Sequence, residues 1–336
     1  RELQLNARRI NQLTISMPIG FPDKKQQIEQ QIKALQIKNQ QIAQDLLPTA
    51  LDSFDNFPNT REEITGFLLT HLQAQLTGKQ FQKIPFNPFE AERFYKKLSD
   101  AGVEVPSLSL MGYRTSYVLL DIELAKNRLI DAARKGAPVQ QEMMTDLRSL
   151  SEKFNEEIEY RKADRQNNCS QVRIDTDQGA MLVELFEDQS PNTVANFIAL
   201  VESGFYDGKK FYQVNPTQVA IAGSSGNDGQ PETAFQIASE ASDNSRLHFS
   251  GTLTMINDAQ GNTDSRFLIA KQTSPNFDGK LSSFGRIIEG MENLYKLEVV
   301  DLTRGQSGNP QPATVIQKMT VVKKRDKEYQ PVRVNR

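Results

Sequence analysis

The sequence predicts a multidomain chain of two structural classes: an all-α region over 1–160, then a strand-dominated region from Val172 that suggests a closed barrel. Three observations carry this. Apolar residues before 160 recur at helical spacing with almost no strand signal. A polar, charged run at 161–169 breaks that pattern and reads as a linker. Beyond it come many short strands punctuated by glycine, proline and asparagine, with a few helices, which suggests a closed barrel. The end, 325–336, reads as a solvated basic tail.

The helices follow from spacing and punctuation. Ile28, Ile32, Leu35, Ile42 and Leu46 form one apolar stripe, with Asp23 as N-cap and Pro48 as the stop. Ala91 and Ala125, Tyr95 and Leu129, and Leu98 and Ala132 are each 34 residues apart. A small residue followed four later by a bulky one, at that period, is how tetratricopeptide helix pairs are written. An irregular helical bundle accounts for it equally. Met143, Leu147, Leu150, Phe154 and Ile158 mark a last helix from about 139 to 160.

The strand half begins at Val172. Residues 172–174 and 181–185 read as a hairpin turned at Asp177-Gln178-Gly179. Ser190-Pro191 opens a helix, serine as cap and proline at the first helical position. Val194, Phe197, Ile198 and Val201 form its buried face. Residues 315–322 supply the final strand.

Composition narrows function. Forty basic against forty-two acidic residues leave a net charge of −2, so no nucleic-acid partner is expected. Cys169 is the single cysteine, so neither an intrachain disulfide nor a thiolate metal cluster can form. His71 and His248 are too few for a histidine-rich metal site. No apolar run approaches the length needed to span a bilayer. The chain opens on Arg1 without a signal-like segment, as expected of a mature or trimmed form. Residues 223–229 are glycine-rich but lack the lysine of a phosphate-binding loop, and Asn168-Cys169-Ser170 meets the glycosylation pattern only formally.

Five ordered motifs then give a resemblance. They are Pro191-x-Thr193-x-x-Asn196-Phe197; Gly204-Phe205-Tyr206-Asp207-Gly208; His248-x-x-Gly251-x-Leu253-x-Met255; Ser265-x-Phe267; and Phe277-Asp278-Gly279-Lys280-x-x-x-Phe284-Gly285 continuing to Gly290-Met291. Together they resemble the cyclophilin-type peptidyl-prolyl cis-trans isomerase domain over about 170–324. That resemblance implies an eight-stranded antiparallel barrel capped by two helices, a polypeptide substrate and no cofactor. It also implies how the work is done. Rotating an amide costs about 18–20 kcal/mol, and an isomerase favours the twisted state by aiming a guanidinium at the prolyl nitrogen.

Carried residue by residue, the resemblance puts that arginine position on Gln213. Its groove glutamine falls on Ile221. The proline-pocket positions fall on Gln218, Val219, Leu268 and Leu281, and the usual tryptophan position on Asn276, beside Phe277. Asn257 retains the backbone-binding asparagine, with Ile256 before it. Arg266 stands where the family usually has glutamine, facing the same groove; it could reach the prolyl nitrogen from the other wall, but the reading preferred is a rim arginine that compensates lost polarity. His248 reads as structural.

Two functions follow. One is a polypeptide-binding or assembly protein that keeps the barrel and has weak or lost turnover, with the helical region as a second docking surface. The other is an active prolyl isomerase or folding chaperone. Analogy with proteins that join a helical region to such a domain favours an exported compartment, periplasmic or lumenal, over the cytoplasm.

Overall fold

The computed structural model describes residues 2–18, 21–77, 86–224, 226, 229–230, 236–242, 246–300 and 313–334. They fall into two compact units. One runs to Ser116 and resumes over Glu123–Val139; the other holds Tyr117–Ile122 and everything from Gln140 onward. Among the described residues no helix is long and apolar enough to cross a membrane.

The first unit contains α1 (Glu2–Ile15), α2 (Pro22–Asn56), α3 (Glu62–Thr77), α4 (Pro88–Asp100), most of α5 (Pro106–Val118) and α6 (Ile122–Arg134). The long helix corrects two expectations. Phe21 is the N-cap, with Asp23 inside the first turn, and Pro48 lies within α2. A mid-helix proline costs about 3 kcal/mol. Beyond it, however, Ala50, Leu51 and Phe54 pack with Leu68, Leu72, Ala91 and Leu98, and that burial offsets the lost hydrogen bond. The α4 helix starts cleanly, because the Asn87 side chain accepts from the amides of Phe89 (3.1 Å) and Glu90 (3.2 Å).

The 34-residue echo falls on core positions. Ala91, Leu98, Ala125, Leu129 and Ala132 are fully buried. A Cβ on Gly112 would lie 2.3 Å from the Tyr95 ring, so only glycine permits that approach. Arg128 stacks over the same ring at 4.1 Å and reaches both Glu92 oxygens (2.6 and 2.7 Å), the Gly112 carbonyl and the Ser116 hydroxyl.

The second unit opens with α7 (Gln141–Gln166), which alters the expected boundaries. The helix continues through most of the run assigned to a linker, and it groups with the sheet in the second unit, whereas the sequence placed 1–160 in one helical region. Side-chain pairs distant in sequence explain this. Buried Asp164 receives Arg246 at 3.0 Å and Arg286 at 2.9 Å, while Glu157 pairs with both arginines at 3.3 Å. Arg286 also pairs with Glu184, and Arg246 lies 3.7 Å over the Phe186 ring. Burying one of these charges alone would cost several kcal/mol, so each helix acid fixes α7 to its arginines.

Then follow β1 (Gln171–Thr176), β2 (Gly179–Leu185), α8 (Pro191–Glu202), β3 (Gln213–Val214), β4 (Val219–Ala222), β5 (Ile237–Ala238), β6 (Thr252–Asn257), β7 (Asn262–Ala270), β8 (Ser283–Glu289), the short α9 (Met291–Leu294) and β9 (Ile316–Lys323). The curled antiparallel sheet runs β3-β4-β7-β6-β8-β2-β1-β9, an eight-strand path, with β5 paired to the side of β7. Its two ends meet. Lys210 bridges Val315, and the Phe211 amide donates to the Thr314 carbonyl at 3.0 Å.

The expected buried face of α8 lies in the sheet's core. Phe197 packs against Phe267 at 5.9 Å and Phe284 at 4.9 Å between ring centroids. Its cap differs from expectation. Ser190 turns its hydroxyl to the Ser283 carbonyl (2.8 Å), and the Glu240 carboxylate accepts from the amides of Asn192 (3.0 Å) and Thr193 (2.7 Å). An acid at a helix start serves the same open amides and favours the dipole.

The basic tail is described up to Val334 and makes specific contacts, which corrects the expectation of a solvated tail. Tyr329 is buried, with its hydroxyl on Glu187. Arg325 pairs with Glu187 at 2.6 Å and Asp188 at 2.6 Å.

Candidate peptide groove

Antiparallel register puts directly opposed residues on one face. Gln213 of β3 faces Ile221 of β4, Ile221 faces Leu268 of β7, and Leu268 faces Thr254 of β6. The four form a row across the sheet. Val219 is two residues from Ile221 on the same strand and opposes Ala270. The intervening residues Ala220, Phe267 and Ile269 belong to the core. The row therefore lies on the face turned away from the core, with Gln213, Val219 and Ile221 half-buried and Leu268 buried.

A second set of the expected groove residues lies on β6 and the segment after β7. The Asn257 side chain donates to the Lys280 carbonyl at 3.1 Å, placing Ile256 and Asn257 beside Leu281. Leu281 in turn donates its amide to the Phe277 carbonyl at 3.2 Å. Asp278 anchors this segment by accepting from the His248 amide (2.9 Å) and meeting its Nδ1 at 2.8 Å, in keeping with a structural role for His248. Asn276 sits exposed in a single 3₁₀ turn, Pro275–Phe277. Gln218 is exposed on a turn capped by Asn215, whose side chain accepts from the amides of Thr217 and Gln218. Register and hydrogen bonds thus join Gln213, Ile221 and Leu268, and separately Asn257, Phe277 and Leu281. Gln218 and Asn276 lie on turns outside both sets.

Arg266 is committed elsewhere. Its Nε and Nη2 reach the Asp264 carboxylate at 3.1 and 2.9 Å, its own amide donates to the same carboxylate at 2.8 Å, and Nη1 donates to the Gly229 carbonyl at 2.7 Å. Asp264 is buried, and its backbone carbonyl accepts from Asn196 of α8 at 2.9 Å. An arginine with its planar fork filled on two sides has little freedom to point elsewhere. Sequence reading placed Arg266 at the rim but missed its partner. The Asp-x-Arg spacing, which puts both side chains on one strand face, was the available signal.

The glycine-rich loop is a sheet connection where it is described. Gly223 has φ +97°, and a Cβ there would lie 2.3 Å from the Ser265 carbonyl oxygen. Ser225, Asn227 and Asp228 lie outside the described residues. Lys271, just past β7, was also missed. It is buried, its ammonium lies 5.9 Å from the Tyr295 ring centre, and burial lowers its pKa to about 8. Among the described residues no cluster of three metal-ligating side chains occurs.

The sequence is similar to that of known proteins over the second unit. Residues 171–321 match the family model described as cyclophilin type peptidyl-prolyl cis-trans isomerase/CLD. A peptidyl-prolyl cis-trans isomerase of Synechococcus elongatus is 33% identical over 117 residues, covering 35% of this chain and 79% of that protein. The peptidyl-prolyl cis-trans isomerase-like 3 of Gibberella zeae is 32% identical over 162 residues, covering 45% of this chain and 95% of its own. A Cryptosporidium parvum cyclophilin-type isomerase, crystallised in the presence of the dipeptide Ala-Pro, aligns with a TM-score of 0.41 at 25% identity, over 46% of this chain and 99% of that one. The Synechococcus elongatus and Gibberella zeae proteins are each more than 30% identical and matched over most of their own length, and on that ground the chain belongs to the cyclophilin-type peptidyl-prolyl cis-trans isomerase family.

Proposed function

We propose that this protein uses its cyclophilin-type domain to bind polypeptide and that its X-Pro isomerase activity is weak or lost. The observation that carries the reading is the fate of the guanidinium. Gln213 is neutral, and Arg266 is locked onto Asp264 and the Gly229 carbonyl. Removing one oriented donor lowers turnover by about 10²–10³ in other enzymes. An arginine displaced to another wall does not restore that, because such donors act only in a narrow geometry. The row Ile221–Leu268, with Val219 and Leu281, supplies apolar surface for an extended segment without the field that twists its amide. The helical unit is a second docking surface in this reading, its 34-residue echo being tetratricopeptide-like.

Family membership favours the second reading, an active isomerase. Binding of reduced, carboxymethylated α-lactalbumin to the full chain, followed by fluorescence anisotropy, tests the groove assignment. Ile221→Glu puts a charge into the half-buried row and should weaken binding by about tenfold or more, the equivalent of about 1.4 kcal/mol. Unchanged binding by a folded Ile221→Glu protein would move the site away from this row.

A further inference from the structure

The C-terminal segment, expected to be a solvated tail, is tied down at four successive places. The Arg325 amide donates to the Ser170 hydroxyl at 3.0 Å, and its side chain pairs with Glu187 and Asp188. Tyr329 places its hydroxyl on Glu187 and within 2.9 Å of Ser170, and burial with the Glu187 contact raises its pKa to about 12, so the phenol stays protonated. Val332 is clasped by one side chain: its amide donates to Asn192 Oδ1 at 2.7 Å, and its carbonyl accepts from Asn192 Nδ2 at 3.0 Å. Finally the Val334 amide donates to the Gln236 carbonyl at 2.7 Å, forming a bridge at the head of β5.

That last contact leads to the candidate groove. The Gln236 side chain donates to Asp258 Oδ2 at 2.7 Å. The other oxygen of Asp258 accepts from the amides of Gln260 (2.9 Å) and Asn262 (2.8 Å), closing the β6–β7 turn. Asn257 is the residue before Asp258 and pairs with Thr263, which also pairs with Ile237 of β5. An unbroken set of contacts therefore runs from Val332 through Val334, Gln236 and Asp258 to the wall that carries Ile256 and Asn257.

We infer that the segment Arg325–Val334 is a positioning strap: it holds β5 and the β6–β7 turn, and through them sets the wall of the groove. Val332 itself is 73% exposed and contributes no core, so burial does not account for its double hydrogen bond to Asn192. The segment's value lies in what it fixes. The consequence for ligand affinity rests on the polypeptide-binding reading above; the mechanical coupling does not.

Two variants of the full chain separate the links. Asn192→Ala releases Val332, whereas Gln236→Leu leaves the strap attached and cuts only the contact to Asp258. Hydrogen–deuterium exchange should rise over 236–242 and 256–263 in Asn192→Ala, but over 256–263 alone in Gln236→Leu. Affinity for reduced, carboxymethylated α-lactalbumin should fall about 3–10-fold in both. Wild-type exchange at 256–263 in either folded variant would overturn the strap, as would raised exchange with wild-type affinity. If the unmodified chain does not bind the probe, the polypeptide-binding reading fails, and the exchange pattern alone decides the strap.

Discussion

The two faces of β7 differ in kind. Inward, Phe267 and Ile269 pack with Phe197, Phe211 and Phe284 in a core that any closed sheet of this size requires. Outward, Leu268 continues the apolar row from Ile221, and Arg266 is folded back onto Asp264. One face answers to stability and is built as the family fold demands; the other answers to chemistry and offers no free guanidinium in this row. Strand periodicity allows the two to change independently, since adjacent residues point to opposite sides. The inward face can therefore stay fixed by packing while the outward face changes.

The largest expected effect is on the inward face. Phe267→Ala should lower unfolding stability by about 3–5 kcal/mol in denaturant titration, as for other large-to-small aromatic substitutions in cores. A loss under about 1 kcal/mol would mean that the inward face is not the organising core.

Lys271 is the exception that ends the inward row. Its pKa of about 8, against an ordinary 10.5, arises from burial, and among the described residues no carboxylate pairs with it. The unfolded chain then binds this proton more tightly than the folded one, so the residue's charge destabilises the fold below about pH 8. That penalty fades as pH rises toward 10.5. Lys271→Met should stabilise the protein by about 1–3 kcal/mol at pH 7, with the gain shrinking above pH 8. Thermal unfolding at pH 7 and pH 10 checks this; a gain equal at both values would refute the linkage.

Next comes Arg266→Gln, which leaves the buried Asp264 carboxylate without its cation. Stability should fall by about 1–3 kcal/mol. If Arg266 has no catalytic part, any residual isomerisation rate should be unchanged; loss of that rate would assign it one.

The core of the second unit was legible in the sequence because it rests on local order: the ordered motifs contain Phe197, Phe267 and Phe284, and all three are fully buried. What escaped were contacts between residues far apart in the chain. Asp164 meets Arg246 across 82 positions, so α7 could not be assigned to the sheet from its helical period. Glu240 caps α8 from 47 residues beyond Thr193, and Asn192 clasps Val332 across 140. Pro48 was read as a stop because its local cost is clear, whereas the burial of Phe54 that outweighs it is tertiary. Side-chain pairs of this kind leave no periodic trace, only the presence of a charge or an amide at a position where either could equally be solvated.

The smallest effect on stability belongs to Gln213, half-buried at the end of the row. Gln213→Arg should shift unfolding by no more than about 0.5 kcal/mol. Its activity is the direct test. On the proposed reading, the purified chain should give little acceleration over the uncatalysed rate in a protease-coupled prolyl-peptide assay, and Gln213→Arg should restore little, because Ile221, Leu268 and Leu281 would still stand at the positions the resemblance gives to the groove. Clear turnover by the unmodified chain would contradict the account.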